Sequence, residues 1–172
     1  AEDIDASALP VPALRPLRDT FSLRVTGIGG TGVVTVGAVI AMAAHLEGKS
    51  ASVLDFMGFA QKGGSVLSFV RLADTPERLN QVRIDTQQAD AVLACDIVVA
   101  ASPEALQTVR HGRTRVLVNT HEIPVAESLK NPDASLKTEL LLAKLEATDY
   151  PSDNQPVAVD LLLLSIKNDA QA

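Results

Sequence analysis

Short aliphatic runs alternate along the chain with breaks rich in glycine, proline or charge. Phe21–Thr26 reads as a strand, and Val33–Glu47 as a helix that is apolar on nearly all faces. Such a helix is expected in a large core or against a neighbouring domain, and Gly48 is placed to end it. Ser50–Asp55 reads as a second strand and Gly63–Leu72 as a third, with the loop Phe56–Lys62 between them. Asp74–Asp85 is polar and carries no period. Thr86–Cys95 reads as a short helix and the aliphatic Asp96–Ala101 as a buried strand. Ser102 and Pro103 form a helix start, N-cap then first-turn proline, with the helix running to about Arg110 and stopped by Gly112. Arg115–Asn119 is a further strand and Glu139–Ala147 a further helix. Asp149–Pro156 is loop-like, and Val157–Ile166 is apolar enough for strand or helix. This rhythm predicts a parallel sheet with right-handed crossovers over residues 21–172. Residues 1–20 carry Pro10, Pro12 and Pro16 and no apolar period, which suits a linker or a disordered tail.

Two glycine loops punctuate this pattern. Gly27, Gly29 and Gly32 satisfy G-x-G-x-x-G between a strand and a helix, with Gly30 and Thr31 inside the motif. Such a loop leaves N–H groups at a helix start, behind which the helix dipole favours phosphate or carboxylate. Asp55 lies 23 residues after Gly32, where a dinucleotide site holds a ribose, so an independent NAD(P)-binding domain of a dehydrogenase is one reading. A tight turn that binds nothing is the other. The second loop, Gln61-Lys62-Gly63-Gly64-Ser65, reads either as an anion nest with a cation and a hydroxyl or as a plain glycine turn. Both loops are expected at the C-terminal edge of the sheet.

Composition narrows the partners. Hydrophobic residues make up 47% of the 172, with four Phe, one Tyr and no Trp, so the core is aliphatic. A net charge of −6 with no basic stripe speaks against nucleic acid. No apolar run reaches the ~20 residues that span a bilayer, so no membrane partner is expected. The single Cys95 closes no internal disulfide and is too few for a four-cysteine metal or iron–sulfur site, and a reducing, cytoplasmic setting is the default expectation. No metal-ligand spacing stands out. His45 and His111 sit at helix ends, where a structural role is expected. His121 stands at a strand end beside Thr120 and Glu122, where chemistry is open. The start Ala-Glu-Asp, without Met, suits a processed start or a piece of a longer chain.

The stretch VTGIGGTGVVTVGAVIAMAAHLE (Val25–Glu47), followed by SVLDFMGFAQKGGSVLSFVR, resembles the gamma domain of 2-oxoacid:ferredoxin oxidoreductases. CDIVVAASPEAL and the strand ending in VNTHE resemble the large fused indolepyruvate ferredoxin oxidoreductases in particular. The likeness covers roughly Leu23–Glu122. It implies an α/β, Rossmann-like three-layer fold with a mainly parallel sheet. It also implies oxidative decarboxylation of a 2-oxoacid to an acyl-CoA, with electrons passed to ferredoxin. Thiamine diphosphate, Mg and 4Fe-4S clusters would then lie in other domains of an oligomeric enzyme, and this domain would pack on the thiamine-binding ones. Gly27, Gly29, Gly30, Thr31 and Gly32 would form the first loop of a site handling coenzyme A. Lys62, Gly63, Gly64 and Ser65 would form the second, with Asn119, Thr120 and His121 on the same sheet edge. The polar finish Lys167–Ala172 departs from the pattern and reads as a shortened C-terminal helical part.

Overall fold

The computed structural model describes residues 17, 19–58, 64–120, 138–146 and 161–164. Its elements are β1 (Phe21–Ile28), α1 (Val33–Leu46), β2 (Ser50–Met57), β3 (Ser65–Ala73), β4 (Ala91–Ala94), α2 (Ile97–Ala100), α3 (Pro103–Leu106), β5 (Arg115–Asn119), α4 (Thr138–Glu146) and β6 (Leu161–Leu164). One six-stranded sheet has the order β2-β3-β1-β4-β5-β6. Strands β1, β4, β5 and β6 pair in parallel, and β3 runs antiparallel between β1 and β2. The fold is therefore α/β with a mainly parallel sheet.

Helices lie on both faces of the sheet. On one face α1 covers β2 and β3, and Val33, Val25, Val66 and Val70 close a small aliphatic core with Val53 and Ile40 at its margin. On the other face α2 and α4 pack over β4 and β5 through Ile97, Ala100, Leu145, Val92, Val116 and Val118. The chain moves from β1 to β2 in one direction across the sheet and from β4 through β5 to β6 in the other. Right-handed crossovers then require helices on opposite faces, as found.

Glycine at position 37 lets α1 approach the sheet closely. A Cβ there would stand 2.8 Å from Ser68 Oγ and 3.5 Å from Val53 Cγ1 and Val70 Cγ2. At the end of α1, Gly48 takes φ +70° and its N–H donates to the His45 carbonyl, the expected stop.

Two expectations are corrected. Thr86–Cys95 holds the strand β4 and Asp96–Ala101 holds the helical turn α2, the reverse of their reading. A short, fully apolar run carries no period that tells strand from helix. What decides here is Asp96, whose buried carboxylate accepts from Val99 N–H at 2.8 Å and caps the turn. The helix begun at Ser102 stops at Leu106, well before Arg110. Val39, Met42 and Leu46 on the outer side of α1 are exposed among the described residues, so of the two settings expected for this helix the neighbouring domain stands. Asp96→Ala removes the α2 cap and is expected to cost about 1–2 kcal/mol, measured by chemical denaturation.

The proposed linker, apart from residues 17, 19 and 20, and the segments 121–137, 147–160 and 165–172 lie outside the described residues. That includes the loop read at Asp149–Pro156 and the polar finish. Within Val157–Ile166, β6 resolves the strand-or-helix choice for residues 161–164.

Candidate functional site

The two glycine loops meet at one rim of the sheet. Ile28 pairs with Ser65 and Gly27 with Val66, because β3 starts where β1 ends. Gly29 N–H donates to the Gly64 carbonyl at 2.8 Å, and Gly58 N–H to the Ser65 carbonyl at 3.0 Å. The tip of β4 joins the same rim through Cys95 N–H, which donates to the Thr26 carbonyl at 2.8 Å. Asn119, at the tip of β5, donates from Nδ2 to the Cys95 carbonyl at 3.3 Å, with the half-buried Thr120 following. Gly64–Ser65, Gly27–Gly32, Cys95 and Asn119 thus form one arc across four adjacent strands. At about 4.8 Å per strand the arc spans roughly 15 Å. Lys62, Gly63 and His121 lie outside the described residues.

The glycines answer different demands. A Cβ on Gly27 would stand 2.5 Å from Val33 Cγ2, so this residue seats α1 against β1. A Cβ on Gly29 would stand 3.3 Å from the Gly64 carbonyl, so this one lets the two loops touch. Gly30 and Gly32 face open space at φ +89° and +88°, a conformation that L side chains rarely adopt. Protein packing accounts for the first pair and backbone conformation for the second.

What remains free at the rim is the start of α1. Gly32 is its N-cap, with no side chain to satisfy the helix, and no acidic residue stands in the first turn. Val36 N–H bonds back to the Gly32 carbonyl, whereas the N–H groups of Val33, Val34 and Thr35 have no intrahelical acceptor. Thr31 folds inward, its hydroxyl donating to the Ile28 carbonyl at 2.6 Å. The result is an exposed helix start of positive character that suits an anion. Among the described residues no cluster of His, Cys, Asp or Glu is arranged to hold a metal.

The dinucleotide reading loses its ribose partner. A dinucleotide fold sets the second parallel strand next to the first, with its acidic residue at the tip. Here β3 intervenes, and Asp55 pairs with Ser68 two strands from β1, on a strand that continues to Met57. Sequence reasoning missed Cys95 and Asp96 as members of the β4 tip. The signal was present in Ala91–Asp96, an aliphatic run closed by a helix-capping residue. Cys95 is half-buried, and burial first, then Asp96, pushes its thiol above its ordinary pKa, so it is a poor nucleophile.

The chain and its fold have recognisable relatives. Comparison with known protein families matches residues 22–162 to pyruvate ferredoxin/flavodoxin oxidoreductase. The common gamma subunit of the pyruvate/ketoisovalerate oxidoreductases of Thermococcus litoralis is 34% identical over 156 residues, which is 86% of this chain and 72% of that one. Among solved structures, a chain of the 2-oxoglutarate:ferredoxin oxidoreductase of Magnetococcus marinus superposes with a TM-score of 0.51 at 19% identity, a likeness of fold alone. That match covers 63% of this chain and 18% of the other, so this chain spans less than a fifth of its length. A 33-residue stretch is 85% identical to the phosphate regulon sensor protein PhoR of Pseudomonas aeruginosa. It covers 19% of this chain and 7% of that one, too little to carry a functional argument. The family match over 22–162 and the gamma-subunit likeness, on an α/β sheet with paired glycine loops, place the chain in the pyruvate ferredoxin/flavodoxin oxidoreductase family.

Proposed function

We propose that this chain is the gamma unit of a 2-oxoacid:ferredoxin oxidoreductase of the indolepyruvate type, and that its glycine rim binds the phosphate portion of coenzyme A. The whole enzyme would oxidatively decarboxylate a 2-oxoacid, pass two electrons to ferredoxin and release an acyl-CoA, in the reducing cytoplasm. Thiamine diphosphate, Mg and the 4Fe-4S clusters would be held by other domains or subunits on which this one packs. Coenzyme A would serve as the thiol acceptor of the acyl group.

One observation carries the assignment of the rim. The Gly29–Gly64 contact brings two backbone loops beside an uncapped helix start that no acidic side chain occupies. The residues present fit a phosphate: free N–H groups, open space at Gly30 and Gly32, and Lys62 in the adjoining loop sequence. The indolepyruvate assignment rests on the likeness of CDIVVAASPEAL and VNTHE, and substrate contacts from other domains would set the choice of oxoacid.

Gly30 gives a clean test, because a side chain there meets nothing within 4 Å. In the assembled enzyme, Gly30→Asp and Gly30→Asn impose the same backbone strain and differ in one charge. The Asp variant is expected to raise the KM for coenzyme A at least ~10-fold over the Asn variant, equivalent to about 1.4 kcal/mol of lost attraction. KM for the oxoacid should move equally in both. Equal KM values for coenzyme A in the two variants would remove the rim from coenzyme A binding.

A further inference from the structure

On the sheet face that carries α2 and α4, Phe69 of β3 stands opposite Arg24 on one side and Leu54 on the other. Phe56, two residues on from Leu54, shares that face and is 55% exposed. The Arg83 guanidinium lies over both rings, 5.7 Å from the centre of Phe56 and 5.9 Å from that of Phe69. Two ring faces thus hold the head of an exposed side chain in one place. Among the described residues this guanidinium makes no hydrogen bond and no ion pair, so its N–H donors lack a protein acceptor. Behind it lies the buried Arg24, whose like charge it opposes, while Glu104 acts on Arg24 through its charge alone. A fixed, unanswered cation therefore sits on an aromatic floor, with Met57 and Val82 exposed beside it in sequence.

We propose that Phe56 and Arg83 are a contact through which this chain packs on the thiamine-binding domain of the oxidoreductase, with Arg83 anchored on a carboxylate of that domain. A phenyl ring more than half exposed lines no pocket. An arginine held beside an aromatic is the composition of the centre of a protein interface, whereas small ligands take concave sites. The guanidinium fork matches a carboxylate with two parallel hydrogen bonds.

The choice of partner rests on the proposed function. The acyl group arises on thiamine diphosphate in one domain and leaves on the thiol of coenzyme A held at the rim of another. Those two domains must meet at the rim. Phe56 stands two residues before Gly58, whose N–H closes the rim on the Ser65 carbonyl. The Phe56–Arg83 patch therefore flanks the meeting place, and the surface that covers it there belongs to the thiamine-binding domain.

The test uses the assembled enzyme. Arg83→Lys keeps the charge and supplies an amine, which a carbodiimide joins by an amide bond to a carboxylate in contact with it. Peptide mass spectrometry is expected to find residue 83 joined to an Asp or Glu of the thiamine-binding domain. A bond only to an acid within residues 1–172, in the same copy or a second one, overturns the proposal, and so does the absence of any bond at residue 83. Arg83→Glu and Arg83→Gln give a second measure, because both lose the cation and only the first sets two carboxylates face to face. Hydroxyl-radical labelling of Phe56 is expected to be at least ~5-fold greater in the Glu variant than in the Gln variant. Equal labelling overturns the contact. Failure of the Gly30 comparison alone removes coenzyme A from the rim, and failure at residue 83 alone removes this contact, so the two readings fall separately.

Discussion

Gly27→Val is expected to lower the stability of this domain by about 3 kcal/mol, the upper part of the range for overpacking a core. A Cβ at this position enters a space 2.5 Å from Val33 Cγ2, 3.2 Å from Cys95 Cβ and 3.7 Å from Thr31 Oγ1. Relief requires moving the buried Val33, and with it the first turn of α1, away from β1. The motion also carries the free N–H groups of that turn out of the rim. Gly32→Ala serves as the contrast. Its Cβ meets nothing within 4 Å, so only the left-handed backbone opposes it, at about 1–2 kcal/mol. Denaturant midpoints at constant slope measure both. A smaller loss at Gly27 than at Gly32 would show that α1 is not seated on β1 as described.

Arg24 gives the second large effect. Its side chain is 2% exposed in the middle of β1, with the guanidinium 4.5 Å from the Phe69 ring centre and Nη1 3.4 Å from Thr108 Oγ1. Nε has no partner. Burial first, and then the charge of Arg83, hold its pKa down to about 10, with Glu104 opposing them. Arg24→Ala leaves a cavity where the long stem packed and is expected to cost about 3 kcal/mol, as for a buried Met cut to Ala. Arg24→Met keeps the stem, removes the desolvated charge and is expected to fall within about 1 kcal/mol of wild type. The pH dependence has a definite sign. The folded state surrenders this proton near pH 10, and the unfolded chain only in the ordinary arginine range. Below pH 10 the penalty for the buried charge is complete and the gap between wild type and Arg24→Met is flat. Above it, wild type gains stability relative to the variant, by up to about 1.4 kcal/mol per pH unit. A wild type that gains nothing on Arg24→Met, or loses ground to it, in that window would remove Arg24 from its buried setting.

The elements around the glycine loops were legible because each carried a local signal. The strand–glycine–helix order of Phe21–Leu46 and the hairpin-forming apolar runs on either side of residues 58–64 appear in the structure with their ends moved by a few residues. The residues from Ala91 to Ala101 were not legible. Five consecutive small or branched apolar side chains on either side of Asp96 satisfy a buried strand or a buried helical turn equally, and a single capping bond at Asp96 settles the choice. The position of β3 could not be read either. Its sequence declares a strand but not its neighbour, and pairing between β1 and β2 is a long-range choice. The meeting of Gly29 with Gly64 depends on that choice. Two rim segments could thus be named from the sequence, while their contact could not. Arg24 was overlooked because Ser22, Arg24 and Thr26 alternate with apolar residues, a pattern that ordinarily marks an outward face, and here that face points into the core.

The reversed direction of β3 has one more effect. In an all-parallel sheet the chain leaving the tip of a strand must cross to the far end before it can pair again, so that connection carries a helix and resists change in length. Here the chain leaves Met57 and re-enters at Ser65 on the same rim. The pairing of β2 with β3 does not fix the length of this connection. Closing a connection twice as long costs only about 0.6 kcal/mol. Changes in chain length between Gly58 and Gly64 can therefore leave the strands and the bonds of both glycines in place. Within this architecture, that stretch is where the rim can change its outline at the least cost to the sheet.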